Sequence, residues 1–217
     1  MMRIALAAAL AGALALSACD QGRGPAVHKT VPVTPFMGEA VMGDPAAKVE
    51  IVEYASTTCS HCKAFHETVL PELKTKYIDT GKAKLVYRVM PTPPPALSMA
   101  GGALARCAGE EKFFAVIEDL FDNQDQLINA MREPRTLQRL LISLGGRHGL
   151  SGDEVESCIA YEPLTQHLIE VAQAAPASVT GTPAFIVNGV DVEQNSLEAL
   201  SAAIDSALGN PPENPAQ

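Results

Sequence analysis

No stretch of this sequence gathers lysine and arginine. Sixteen basic residues are scattered among twenty-five acidic ones, for a net charge of −9. Such a chain offers no footprint for nucleic acid and no electrostatic hold on an anionic membrane surface, and its charge serves solubility. Aromatic residues make up only 5%, but 47% of the 217 residues are hydrophobic. That is enough for one good core with an inserted lobe, and too little for two large independent domains. There is no glycine-rich cradle for a phosphate and no internal repeat. The apolar run at the start, Ile4 to Leu16, is too short to cross a bilayer.

What that start does contain is one arginine, the apolar run, and then small residues, the pattern of an export signal. Leu16-Ser17-Ala18-Cys19 resembles the lipobox of bacterial lipoproteins. The resemblance implies that residues 1–18 are removed and that Cys19 carries the lipid; ordinary cleavage near Ser17 or Ala18 would instead leave Cys19 as a bare thiol. Behind it, "DQGRGPAVHKTVPVTP" has three prolines and no apolar periodicity. We read residues 19–38 as the lipidated cysteine and a flexible tether. Export brings the chain to a compartment where disulfides persist. Five cysteines pair badly there, but with Cys19 lipidated the other four divide into Cys59 with Cys62 and Cys107 with Cys158.

The pattern of elements follows from residue spacing. "KVEIVEYAS" is rich in β-branched residues and predicts a buried strand over Val49 to Tyr54. A helix is expected from Cys59, with Cys62, Phe65, Val69, Leu73 and Tyr77 on one face and a kink at Pro71. "KAKLVYRVM" predicts a second strand, parallel to the first through a right-handed crossover. "PTPPP" breaks the pattern at Pro91 to Pro95. Helices are then expected over Leu97 to Ala108, Glu111 to Phe121, Pro134 to Leu144, Asp153 to Tyr161 and Leu164 to Ala174. "TPAFIVNGVDVE" predicts a hairpin turning at Asn188-Gly189, followed by a helix from Ser196 to Leu208 and a loose tail over residues 210–217.

Cysteines at i and i+3 on the first turn of a helix are close neighbours, and the helix N-terminus favours negative charge on the leading sulfur. Cys59 therefore has the place of the attacked sulfur, and Cys62 that of the shielded resolving thiol. Ser60 can offer a hydroxyl and His61 a ring N–H or positive charge to the Cys59 thiolate. A low pKa there would stabilise the reduced form and make the disulfide an oxidant. The alternatives are weaker. Zinc needs two more ligands, and neither Cys107 nor Cys158 begins a second such pair. A staple across a two-residue gap would remove little unfolded-state entropy.

With Cys59-Ser60-His61-Cys62 after a strand, Gly181-Thr182-Pro183-Ala184-Phe185 before a hairpin, and a helical block between, the chain resembles the thioredoxin superfamily. Within it, it resembles the DsbA-like group of exported thiol oxidoreductases, over residues of about 39 to 209. The resemblance implies an α/β thioredoxin fold, a central mixed sheet flanked by helices, formed by residues 39–90 and 177–209, with 91–176 as an inserted helical domain. It implies a cis Thr182-Pro183 bond with Pro183 against the cysteine pair, and a Thr182 backbone free to pair with an extended peptide. It also gives Glu53, six residues before Cys59, a place beneath the site, where a buried carboxylate would move protons to the buried thiol; the alternative is that Glu53 emerges at the strand surface. Some members carry an extra disulfide in the helical lobe. A Cys107–Cys158 bridge would contribute around 4 kcal/mol in the chain-entropy model, and two buried free thiols are the alternative. His66, His148 and His167 read as solvated or structural residues.

These readings lead to an exported, membrane-anchored oxidoreductase that donates the Cys59–Cys62 disulfide to reduced or unfolded exported proteins. We expect a monomer that needs no cofactor or metal and sits in the bacterial periplasm, tethered by Cys19. The resemblance implies reoxidation by a quinone-linked membrane partner of the DsbB kind. Asp20 after the lipidated cysteine resembles an inner-membrane retention signal. Two rivals stand: a disulfide isomerase or reductase of the same fold, a branch where threonine often precedes the cis proline, and a peptide-binding lipoprotein with secondary redox activity.

Overall fold

Strand β2 (Val49–Ala55) is the axis of the molecule, as seen in a computed structural model that describes residues 30–209. The expected signal, Cys19, the first part of the tether and the 210–217 tail lie outside the described residues. The sheet order is β1 (Ala40–Met42), β3 (Ala83–Val89), β2, β4 (Ala184–Val187), β5 (Val190–Val192). Only β2 and β3 run parallel, with Ile51 opposite Leu85 and Glu53 opposite Tyr87. Strand β4 runs antiparallel to β2, pairing Glu53 with Phe185.

The side-chain period of two explains the packing. Val49, Ile51, Glu53 and Ala55 share one face with Leu85, Tyr87, Phe185 and Val187, and the first core clusters form there. Val52, Tyr54, Val86 and Ile186 build a smaller core on the other face. The two glutamates of "VEIVEYA" are three residues apart, an odd spacing, so they cannot share a face. Glu50 reaches solvent beside Lys84, while Glu53 is fully buried.

Between β2 and β3 the helical run is less uniform than one kinked helix. Helix α1 (Ser60–Thr68) gives way at Val69 to α2 (Leu70–Leu73), and a π-helical turn (Lys74–Ile78) follows. Pro71 sits in the first turn of α2, where its missing N–H costs no intrahelical bond. The same device opens α3 (Pro95–Cys107), α6 (Pro134–Arg147) and α8 (Glu162–Gln173). Helix α7 (Gly152–Ile159) begins with a capping box in which Ser151 and Glu154 satisfy each other's backbone N–H groups. The β4–β5 turn places Asn188 at φ 45° and Gly189 at φ 84°, the left-handed pair a two-residue hairpin requires. Helix α9 (Leu197–Ala207), capped by Ser196, closes the chain against the β2–β4 face.

The helical block between β3 and β4 also contains α4 (Phe113–Asp122) and α5 (Gln124–Ala130), the latter not anticipated. Its core is continuous with the sheet: Ala55, Tyr87 and Val89 pack in one cluster with Leu104, Phe113, Leu120 and Leu168. Cys107, the last residue of α3, and Cys158 in α7 are joined by a disulfide, with Cα atoms 6.2 Å apart. The tether reading needs correction over its described part. Val31 donates its N–H to Ser157 Oγ at 2.9 Å, and the buried Arg106 donates to the carbonyls of Phe36 and Gly38 at 2.9 and 2.8 Å. Residues 31–38 are thus bound to the helical block, and β1 at the sheet edge follows them.

Candidate active site

The loop from β2 into α1 carries the cysteine pair. Cys59 is the N-cap of α1, with extended backbone at φ −89° and ψ 120°, and is half-buried; Cys62 lies one turn in and is fully buried. Both stand as free thiols. Facing them is the loop before β4, where the Thr182–Pro183 peptide is cis. The Cys59 Sγ–H donates to the Thr182 carbonyl at 3.2 Å. Chain segments more than a hundred residues apart in sequence meet here because β2 and β4 are neighbours in the sheet.

The two sulfurs differ in electrostatics. Partial burial pushes the Cys59 thiol up, but hydrogen bonds to its thiolate outweigh this: from the Thr182 side chain, the Cys62 backbone N–H and S–H, and the His61 backbone N–H. The result is a pKa below the ordinary thiol value. Burial dominates at Cys62 and pushes its thiol far up, assisted by the negative charges of Glu53 and Cys59 and opposed by the Ser56 backbone. One sulfur is accessible and more acidic than an ordinary thiol; the other is buried and holds its proton more tightly. His61 contributes its backbone N–H to the Cys59 sulfur, and the side chains of Ser60 and His61 are exposed at the helix start.

Glu53 lies beneath the pair, fully buried, and has a partner that sequence reasoning did not assign it. His66 Nε2 is 3.1 Å from both Glu53 oxygens, and the His66 side chain is only 4% exposed. A signal was present: His66 falls four residues after Cys62, on the helix face shared with Phe65. His148 instead bonds Asp119 at 2.8 Å on the helical block, and His167 lies on α8; neither joins the site.

A second missed feature is a hydroxyl network that holds the loop. Ser56 Oγ bonds Thr58 Oγ1 at 2.9 Å and Ser98 Oγ of α3 at 2.8 Å, and Thr58 Oγ1 bonds Thr92 Oγ1 at 3.1 Å. The buried Gln124 of α5 donates to the carbonyls of Thr57 and Cys59 at 2.9 and 3.1 Å. The helical block therefore holds the loop from outside the sheet. Nothing in local sequence links Ser98 or Gln124 to residues 56–59. Among the described residues no three His, Cys, Asp or Glu side chains cluster so as to hold a metal ion.

A Cys-x-x-Cys pair leading a helix off the central strand, set against a cis-proline loop that enters the neighbouring strand, defines a protein of the thioredoxin fold. The family model described as "Thioredoxin" matches residues 37–206, and the chain belongs to that family. It is 36% identical over 173 residues to the "Putative protein-disulfide oxidoreductase" of Rickettsia bellii (strain RML369-C), covering 78% of this chain and 64% of that relative's length. A like-named protein of Rickettsia conorii (strain ATCC VR-613 / Malish 7) is 36% identical over 199 residues, 88% of this chain and 68% of that one. Among solved structures, alpha-DsbA1 of Wolbachia pipientis superposes with a TM-score of 0.69 at 27% identity, covering 81% of this chain and 93% of that chain.

Proposed function

We propose that this chain is a thiol:disulfide oxidoreductase that donates the Cys59–Cys62 disulfide to reduced proteins in the cell envelope. The observation that carries this is the asymmetry of the pair: a half-exposed sulfur whose thiolate four groups stabilise, one turn from a buried thiol that keeps its proton. A substrate thiolate attacks Cys59, Cys62 leaves, and a second substrate thiol displaces Cys59, releasing an oxidised substrate and the reduced pair. A stabilised Cys59 thiolate favours the reduced protein, which makes its disulfide an oxidant. The printed names of the Rickettsia relatives support the same class of reaction.

The rest of the reading concerns place and partners. The export signal and the Leu16-Ser17-Ala18-Cys19 pattern support a lipid anchor on the outer face of the inner membrane. A quinone-linked membrane oxidase of the DsbB kind would then regenerate the disulfide, and the enzyme would act as a monomer. Among the described residues no helix is long and apolar enough to cross a membrane. The isomerase or reductase reading keeps one observation in its favour, Thr182 before the cis proline.

The deciding measurement is the reduction potential of the Cys59–Cys62 pair against glutathione. An oxidase has a value well above the roughly −270 mV of thioredoxin, nearer the −120 mV of a strong oxidant; a value at the thioredoxin level would sink the donor assignment. Cys62→Ala is expected to accumulate mixed disulfides with substrates through Cys59, and Cys59→Ala to abolish the activity.

A further inference from the structure

The buried thiol must gain and lose a proton in every cycle, and Cys62 has no exposure through which to exchange it. Glu53 is equally buried. What ties that carboxylate to the cysteine helix is His66, one turn beyond Cys62 and on the same face of α1. Its Nε2 stands 3.1 Å from each Glu53 oxygen, so the imidazole spans the carboxylate symmetrically. Phe121 of α4 covers the ring at 4.6 Å between centroids, Phe65 lies at 5.7 Å and Tyr87 of β3 at 6.1 Å.

This is an expensive arrangement if its purpose is packing. A buried polar group without a partner costs free energy, and two such atoms belong to this cluster: His66 Nδ1 and the Tyr87 hydroxyl. Phenylalanine or leucine at position 66 would fill the same apolar surroundings without an unpartnered ring nitrogen, but would leave the buried Glu53 carboxylate without the imidazole it faces. The titratable groups facing one another here are Glu53 from β2, Tyr87 from β3, and Cys59, Cys62 and His66 from α1 and its N-cap; α4 faces them with the aromatic rings of Phe113, Phe114 and Phe121. A protonatable ring among them is placed where the only chemistry is at sulfur.

We propose that His66 is a positioning residue for disulfide exchange, pairing with Glu53 to form the buried proton store that serves Cys62. This rests on the reading of Cys59–Cys62 as an exchange site. When a substrate thiolate attacks Cys59 Sγ, a substrate–Cys59 S–S bond forms, the Cys59–Cys62 bond breaks, and its electron pair stays on Cys62 Sγ. The pair then gives up one proton to that sulfur. The negative charge passes to the Glu53 carboxylate, which accepts from the neutral imidazole Nε2–H. The second substrate thiolate displaces Cys59, so the substrate is oxidised by two electrons and the cysteine pair reduced by two. In reoxidation the carboxylate takes the proton back, freeing the Cys62 thiolate to displace the partner from Cys59. The role of the ring is to give the buried carboxylate a hydrogen-bond partner where water cannot reach it.

The test is stopped-flow oxidation of a reduced dithiol peptide by the full oxidised chain from pH 4 to 9, for the wild type, His66→Gln, Glu53→Gln and the double variant. Glutamine keeps an N–H for the carboxylate but cannot carry the proton. We expect His66→Gln to slow the reaction at least about tenfold near neutral pH, the lower edge of what positioned proton transfer supplies, and to remove one inflection from the rate profile. The double variant should be no slower than the worse single one, because the two residues act as a unit. A His66→Gln profile that overlays the wild type, or effects that simply multiply, overturns the proposal. A wild type that does not oxidise the peptide at all overturns the exchange reading itself, and this proposal with it. Nitrogen-15 NMR of the wild-type imidazoles covers the case in which the variants fold poorly. The protonation state or tautomer of the His66 ring is expected to differ between the oxidised and reduced chain, and an identical ring state in both across that pH range overturns the proposal.

Discussion

Cys59 and Cys62 differ by one helical turn in position and by much more in acidity. Folding holds the Cys59 pKa below the ordinary thiol range, so its thiolate contributes stability to the reduced protein that is fully present near and above about pH 8.5, the unfolded value. That contribution is lost as pH falls through the lower folded value. Cys62 acts in the opposite sense, because burial holds its proton: above about pH 8.5 the unfolded chain releases a proton that the folded chain retains, and stability declines. Of the pair, iodoacetamide should therefore label Cys59 and spare Cys62 at neutral pH, with a midpoint below that of a free thiol. Thr182→Val removes a side-chain hydrogen bond to the thiolate and should move that midpoint upward and make the disulfide less oxidising; an unmoved midpoint would assign the acidity to the backbone N–H groups instead. At this scale the sequence was informative where spacing implies chemistry. The cysteine pair could be singled out from type and interval, while Thr182-Pro183 and Glu53, six residues before Cys59, came into view through the family resemblance. The partnership of His66 could not, because a histidine on an apolar helix face has the same local pattern whether it packs or pairs.

Elements matter to the site through the helices that do not carry it. Gln124 of α5 is the clearest case, since one buried amide satisfies two carbonyls of the cysteine loop. Gln124→Ala would leave both without that donor. The expected cost is about 1–3 kcal/mol, the price of an unmet buried hydrogen bond, read as a lower midpoint in urea unfolding. Faster hydrogen exchange should appear in the amides of residues 57–62, with the rest of the sheet unchanged; an effect spread evenly over the molecule would argue against a specific brace. Helix α5 is also where periodicity was least useful. Its seven residues, "QDQLINA", place only Gln124, Leu127 and Ala130 inside, too few apolar positions to distinguish a helix from a loop. Strand β1 was hidden for a similar reason: three residues have no measurable alternation, and its pairing with β3 exists only once the parallel β2–β3 unit has formed. The longer strands and helices were readable because they repeat their pattern several times.

For the whole molecule, the question is whether the helical block is a separate body or part of the site's scaffold. The continuous core says scaffold: Tyr87 and Val89 of β3 pack with α3, α4 and α8, and the bound segment of residues 31–38 runs across the same block to reach β1. Helix α3 concentrates these ties. Ser98 near its start joins the cysteine-loop network, Arg106 near its end holds Phe36 and Gly38, and Cys107 ties it to α7 across a sequence separation of 51. Closing a loop of that length contributes about 4 kcal/mol in the chain-entropy model. Replacing both cysteines with alanine should accordingly lower the thermal midpoint by roughly 10 °C, given about 2–4 °C per kcal/mol for a domain of this size. The reduction potential of Cys59–Cys62 should stay the same, because the groups that set the acidity of its two sulfurs come from the cysteine loop, Glu53 and Thr182 and none from α7. Calorimetry and glutathione equilibration on one double variant separate the two effects. A potential that moved with the midpoint would mean that strain in the block reaches the cysteine loop through Ser98 and Gln124, making the second disulfide a regulator of the first rather than a staple.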